Sequence, residues 1–194
     1  MTRQVLNVAA LTMVLGATWL VGVRAQEKPA ANKKPADAAM QMPAPGPEMD
    51  RLKFLVGNWD MNAEYLKSPM LPAGGKETGV YKAQPGPGGF SIIADFDVDG
   101  PMGKEIGHEI FSWDSKQKAY IVFLVGNFPG AVTGTSHWEG NNLVIDTTFE
   151  AGGASTQLRA TYSNITEKSA HTEESFRGAD GTYQVIWKAD VIKK

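Results

Sequence analysis

Apolar and polar residues alternate with a period of two along most of this 194-residue chain, and this alternation constrains the fold more than any other feature. In the clearest run every second residue is apolar, from Phe90 through Ile92, Ala94 and Phe96 to Val98. Runs over 59–65 and 183–191 repeat the pattern. Because successive side chains of a β-strand point to opposite faces, such runs predict antiparallel strands with one face on a core. The sequence therefore predicts an all-β fold.

Turn-forming residues separate these runs, and they set the expected number of strands. Glycine, proline, aspartate and asparagine cluster between the apolar segments, as at 85–89, 99–101 and 139–142. The resulting strands are expected near 58–66, 76–84, 89–98, 104–113, 119–126, 131–138, 143–149, 156–163, 169–177 and 182–192. A short helical turn is expected before Gly57. About ten consecutive strands predict an antiparallel up-and-down barrel of the lipocalin-like, or calycin-like, kind, because closure removes exposed edges.

The N-terminus predicts export. Arg3 precedes an apolar run over 5–23, and Val23-Arg24-Ala25 fits cleavage of a signal peptide after residue 25. An uncleaved membrane anchor is the alternative, since the run approaches the length that spans a bilayer. Residues 26–48 are rich in alanine, proline and lysine, which predicts a disordered spacer. Residues 49–194 then form one barrel domain, exported to the periplasm or secreted.

Composition excludes several classes of function. The chain has no cysteine, so disulfides, thiolate metal sites and a catalytic thiol are excluded. Removing Arg3 and Arg24 with the signal leaves 17 basic and 21 acidic residues, a formal charge of −4. An acidic chain without a basic cluster argues against nucleic acid as a partner. No segment after residue 25 predicts a membrane span, and no motif predicts a cofactor.

Three motifs in order carry a resemblance to known proteins. They are Phe54-Leu55-Val56-Gly57-Asn58-Trp59, then Gly88-Gly89-Phe90, then Gly107-His108-Glu109-Ile110-Phe111-Ser112-Trp113-Asp114. In these the chain resembles a family of exported bacterial proteins of unassigned function, over about residues 49–192. That family is similar to lipocalins and nitrobindins, so the resemblance implies a barrel and transfers no catalytic residue. Nitrobindin-like barrels bind haem through a histidine near the C-terminus, and the last strand here, 181–194, has none.

Histidines and aspartates provide the candidate polar sites. His108 alternates with Ile106 and Ile110, which predicts an imidazole inside the barrel that could ligate a metal or act as a base. The favoured interpretation is instead a histidine of the barrel wall that is hydrogen-bonded to a neighbour, because no ligand spacing accompanies it. Asp95, Asp97 and Asp99 share one face of a strand and could bind calcium, although a solvated outer face explains them better. The spacing predicts no metal site.

The preferred functional hypothesis is non-catalytic binding of a small, largely apolar molecule inside the barrel. Trp59, Phe96, Trp113 and Trp187 are the expected lining residues, and His108 is the expected polar contact. The first alternative is an enzyme at the barrel mouth, with His108 as a base beside a carboxylate such as Glu109. The second is an interaction module of the cell envelope. No catalytic constellation is assigned, and the sequence does not predict an oligomeric state.

Overall fold

The computed structural model describes residues 43–68, 71–151 and 153–194. These residues belong to one compact unit. The predicted signal peptide and the first part of the predicted spacer, up to residue 42, lie outside the described residues. Within the described ranges, no helix combines the length and the apolar character that crossing a bilayer requires.

Ten strands follow a short 3₁₀ helix at Met49–Leu55. They are β1 (Gly57–Tyr65), β2 (Gly75–Pro85), β3 (Ser91–Gly100), β4 (Gly103–Asp114), β5 (Ala119–Gly126), β6 (Val132–Glu139), β7 (Asn142–Ala151), β8 (Ala154–Ser163), β9 (Ser169–Arg177) and β10 (Tyr183–Lys193). A second 3₁₀ turn, Pro87–Gly89, joins β2 to β3. The predicted all-β class, the number of strands and the N-terminal helical turn are confirmed.

The strands close into a barrel in which each pairs with its neighbours in sequence. All pairs are antiparallel, and β1 meets β10 along a register that includes Ala63 opposite Ala189. This closure leaves no unpaired edge, which is the physical advantage that favours a barrel over an open ten-stranded sheet. The predicted up-and-down topology is confirmed.

A bulge in β10 changes which of its side chains face inward. Val185 pairs with Ser175, but Trp187 pairs with Glu174, so the register shifts between them. Because of this shift, Val185 and Tyr183 lie on the outer face while Trp187 lies on the inner one. The guanidinium of Arg159 covers the ring of Tyr183 at 4.4 Å. The predicted common face for 183–191 is therefore wrong for its first residues.

The 3₁₀ helix closes one end of the barrel. Leu52 is fully buried, and Met49 and Leu55 are buried beside it in the main apolar core. The indole of Trp59 donates a hydrogen bond to the Leu55 carbonyl at 2.8 Å, which joins the helix to β1. The phenol of Tyr120 donates to the Glu48 carbonyl at 2.7 Å. A helix this short depends on such tertiary contacts for its stability.

The rest of the interior is less completely buried. Inward side chains next to the 3₁₀ helix, such as Phe111 and Leu143, are fully buried. Farther along the barrel, large inward side chains remain only partly buried although the strands surround them; they include Tyr81, Leu124, Leu158 and Trp187. Close-packed interiors leave few gaps as large as a water molecule. The partial accessibility therefore indicates an internal space, which we call the lumen.

Candidate functional site

Four glutamates point into the lumen. The strand register places each of them opposite inward apolar residues: Glu77 faces Ala63, Glu105 faces Val98, Glu109 faces Ala94, and Glu174 faces Ala160. They come from three strands, β2, β4 and β9. Carboxylates on the inner face of a barrel are costly unless they are paired or protonated. Their number makes the lumen the most unusual chemical environment in the described structure.

Two of these carboxyls accept hydrogen bonds from aromatic side chains. The indole of Trp187 donates to Glu77 at 3.0 Å, and the phenol of Tyr81 donates to Glu109 at 3.0 Å. Burial raises the pKa of Glu77, against the opposing effect of the Trp187 hydrogen bond. Burial also raises the pKa of Glu109 to about 7, again against its hydrogen bond from Tyr81. Desolvation thus outweighs hydrogen bonding at both positions.

The carboxyls of Glu105 and Glu174 accept no such hydrogen bond from a described aromatic side chain. Burial raises the pKa of Glu105. Burial, together with the negative charges of Glu105, Glu77 and Glu109, raises the pKa of Glu174 to about 7. No described side chain donates a hydrogen bond to Glu174. Among the described residues, no three acidic or histidine side chains lie close enough together to hold a metal ion.

The inner face offers almost no positive charge to balance these groups. Among the described strand residues that the register turns inward, the basic one is Lys193, opposite Trp59 at the closed end. Its ammonium lies 5.2 Å from the centre of the Trp59 ring. The lysines and arginines of the other strands, such as Lys82 and Arg159, lie on the outer face with Asp95 and Asp146. The lumen therefore carries a negative potential whenever its carboxyls ionise.

Aromatic and small residues complete the lining. Tyr65 and Tyr162 contribute phenols whose pKa is raised, first by burial and then by the nearby carboxylates. Phe96 lies opposite Gly107, and a Cβ at Gly107 would be 2.5 Å from Cζ of its ring. Glycine at this inward position therefore makes room for the Phe96 ring. The arrangement combines apolar surface with acceptors, which suits a molecule that is itself amphipathic.

The predicted lining residues divide between the two ends of the barrel. Phe96 and Trp187 point inward and are partly buried, so they border the lumen. Trp59 is buried and its indole is bonded to Leu55, so it belongs to the closed end. Trp113 packs against the Tyr120 ring with centroids 5.1 Å apart and also belongs there. The structure brings Phe96 and Trp187, but not the closed-end tryptophans, to the lumen.

His108 lies on the outer face and is bonded to a neighbour, as the favoured interpretation of a wall histidine predicts. The expectation of an inward imidazole is wrong. Its Nδ1 donates to Asp95 at 2.6 Å, and both side chains are about two-thirds exposed, at 65% and 64%. On β4 the inward positions belong to Glu105, Gly107 and Glu109, so Glu109 is on the opposite side of the sheet from His108. The hypothesis of a barrel-mouth enzyme using His108 therefore fails. Asp95 and Asp99 are exposed on the predicted outer face.

Replacing His108 by alanine is expected to change neither ligand binding nor stability by more than about 0.5 kcal/mol. An exposed imidazole–carboxylate pair contributes little, because water screens it and ordering both side chains costs entropy. Urea denaturation of the wild type and His108→Ala at pH 7 measures the effect. A loss above 1.5 kcal/mol would contradict the outward placement of the imidazole.

Two grooves lie outside the lumen. One, of about 580 Å³, runs over the outer face of β2 to β5 and includes His108 and Asp95. The other, of about 860 Å³, lies beside the 3₁₀ helix and includes four lysines, of which Lys53 and Lys194 already pair with Asp50 and Asp60. Neither groove contains a buried polar group without a partner, in contrast to the lumen.

These features define a lipocalin-like β-barrel with an acidic, incompletely buried interior. Solved structures resemble this barrel to different degrees. The M. tuberculosis protein Rv2717c is similar with a TM-score of 0.53 and 12% identity, over 77% of this chain and 99% of that chain. The S-type phycobiliprotein lyase CPES from Guillardia theta has a TM-score of 0.48 at 9% identity, over 76% and 90%.

A de novo designed fluorescence-activating β-barrel has a TM-score of 0.42 at 13% identity, over 75% of this chain and 98% of that chain. At such identities the likeness concerns the fold alone. No protein-family model and no curated protein matches the sequence. The fold alone does not assign a function, which depends on the residues of the lumen.

Proposed function

We propose that this protein is an exported bacterial barrel that binds a small, largely apolar molecule in its lumen without catalysing its conversion. The observation that supports the proposal most strongly is the partial accessibility of Tyr81, Glu109, Tyr162 and Glu174, which point inward halfway along the barrel. A core whose purpose was stability alone would fill this space with apolar side chains. Space lined by rings and a few polar groups is typical of ligand sites.

The export part of the proposal depends on the N-terminal pattern. A positive residue, an apolar stretch and the Val23-Arg24-Ala25 site together favour a cleaved signal peptide. Mass spectrometry of the protein from a bacterial periplasmic fraction would test it, with an N-terminus at Gln26 as the expected result. An intact N-terminus in the cytoplasmic fraction would contradict it.

Binding in the lumen is tested with an apolar probe and the indole that borders the space. Titration with Nile red is expected to give a saturable change in tryptophan fluorescence, because a bound dye would lie near Trp187. In Trp187→Phe most of this change should be lost while the dye still binds, as its own emission reports. In Trp113→Phe, which alters the closed end, the change should persist. No saturable response in either signal, extended to a panel of apolar probes, would overturn the proposal.

A further inference from the structure

We infer that the lumen takes a ligand with a positively charged nitrogen, an alkyl- or arylammonium, whose charge lies among the inward glutamates and whose apolar part lies against the aromatic lining. This inference rests on the proposed function, because it names the chemical class of the ligand for that same space. Three observations carry it. They are the charge balance of the lumen, the free acceptors around Glu174, and the hydrogen bonds that neighbouring side chains donate to Glu77 and Glu109.

The charge balance of the lumen is one-sided. Glu77, Glu105, Glu109 and Glu174 point inward, and the one basic residue among the described inward strand positions lies at the closed end. A neutral apolar ligand would displace water from these carboxyls and replace it with nothing that can hydrogen-bond, which is unfavourable. An ammonium would instead supply both opposite charge and donors. A neutral apolar molecule would therefore leave the carboxyls of the lumen without partners, whereas a cationic molecule is complementary to them.

Two free acceptors share the inward face of β9. No described side chain donates to its carboxyl. Two residues away on the same inward face of β9, Thr172 is only 3% exposed. Its hydroxyl lies near the Tyr162 phenol but makes no well-formed hydrogen bond within the described chain. Buried polar groups in native proteins are nearly always paired, so an unpaired one points to a missing partner. An ammonium has three donors and could bond to both groups.

Two of the remaining carboxyls are held in place by neighbouring side chains. Trp187 donates to Glu77, and Tyr81 donates to Glu109, so these two are already fixed in orientation. Fixed acceptors with aromatic rings beside them suit a cation, because rings attract positive charge through their faces. Glu105 and Glu174 are thus the carboxyls left free to pair with a cation. The ion pair is assigned to Glu174 because the unpaired Thr172 hydroxyl lies on the same inward face of β9.

The pH dependence of binding follows from the groups that face one another across the lumen. They are Tyr65 on β1, Glu77 and Tyr81 on β2, Glu105 and Glu109 on β4, Tyr162 on β8, and Glu174 on β9. The phenols stay neutral in the accessible range because their pKa is raised. The carboxyls lose their protons as pH rises, so affinity for an ammonium should increase between pH 5 and pH 8.

Three probes of equal shape separate charge from apolar contact. Isothermal titration calorimetry of the purified protein would use 1-adamantylammonium, 1-adamantanol and adamantane-1-carboxylate, each at pH 5, 6, 7 and 8. The ammonium is expected to bind about tenfold tighter than the alcohol at pH 8, with the difference shrinking toward pH 5, and the carboxylate is expected to bind most weakly. Equal affinities at all pH values would overturn the inference while leaving lumen binding intact. If none of the three bound and Nile red gave no response, the proposed function itself would be contradicted.

Matched variants then locate the charge. Glu174→Gln keeps the side-chain size and is expected to weaken ammonium binding about tenfold at pH 8 while leaving the alcohol unchanged. Glu64→Gln makes the same chemical change at an exposed residue of β1 and should leave both unchanged. Thr172→Val removes only the hydroxyl and should weaken the ammonium several-fold. Unaltered ammonium affinity in Glu174→Gln would overturn the inference, and an equal loss for ammonium and alcohol would do the same.

Discussion

The free energy of unfolding is expected to fall as the pH rises from about 4.5 to about 7, opposite to the usual gain of stability above the acid range. Burial raises the pKa of Glu109 from its ordinary 4.5 to about 7, and burial with the neighbouring carboxylates does the same for Glu174. Below pH 4.5 both the native and the unfolded chain hold these protons, so the two carboxyls do not lower the free energy of unfolding. Between the two values only the native state holds them, so each step up in pH favours unfolding. The loss is on the order of 3 kcal/mol for each carboxyl by pH 8.

Other carboxyls do not mask this trend. Asp114 accepts backbone hydrogen bonds from Gln117 and Lys116, and Asp180 accepts one from Thr182, so the pKa of each is lowered. A lowered pKa contributes stability that is lost only as the pH falls through it, below the window in question. The region between pH 4.5 and pH 7 therefore reports the lumen.

Urea denaturation of the wild type, Glu174→Gln and Glu64→Gln at pH 5, 6, 7 and 8 measures the effect. Glutamine has the size of glutamate and no charge, so Glu174→Gln should gain up to a few kcal/mol over the wild type at pH 8 and little at pH 5. The exposed Glu64→Gln should follow the wild type within about 0.5 kcal/mol. If the free energy of unfolding depended on pH equally in all three proteins, burial would not raise the pKa of Glu174.

Leu52→Ala is expected to cost about 2–5 kcal/mol, the range for deleting a fully buried leucine. Leu52 is the deepest contact of the 3₁₀ helix with the core, at 0% exposure. The helix is too short to persist alone, so weakening its anchor should also loosen the closed end. Urea denaturation gives the loss in free energy, and hydrogen exchange of the Trp59 indole, which is bonded to Leu55, reports the local opening.

The adjacent Lys53→Ala provides the comparison. Among the described residues Lys53 pairs only with Asp50, and both side chains are largely exposed. Its replacement should change stability by less than about 0.5 kcal/mol and leave the indole protected. If Leu52→Ala were as stable as Lys53→Ala, the helix would not be an integral part of the barrel.

Strand positions followed from the sequence to within two residues at every end, because local alternation and turn residues determine them. The predicted strand at 119–126 is the observed Ala119–Gly126, and 169–177 is Ser169–Arg177. Which side chains of a strand point into the barrel was harder to predict. His108 and Trp113 are five residues apart and therefore cannot share a face of a regular strand. Taking Trp113 as inward would have placed Glu109 inside and His108 outside.

Two further features of the structure could not be predicted from the local sequence pattern. The bulge in β10 reverses the faces of Tyr183 and Val185 relative to Trp187, and it depends on pairing with β9. Glu77 and Glu174 read as ordinary polar positions, because outer faces of strands carry the same residue types. Only the register with neighbouring strands turns these carboxyls toward the axis.

The amino-acid sequence by itself determined the class, the number of strands and the helical turn, since these depend on the period of the pattern and on residues that form turns. Tertiary structure decided what the barrel contains. Whether Glu174 faces water or an enclosed space depends on a register set across β8, β9 and β10, residues far apart in the chain. The same carboxyl is ordinary on one side of the wall and costly on the other, because only the inner side removes it from water.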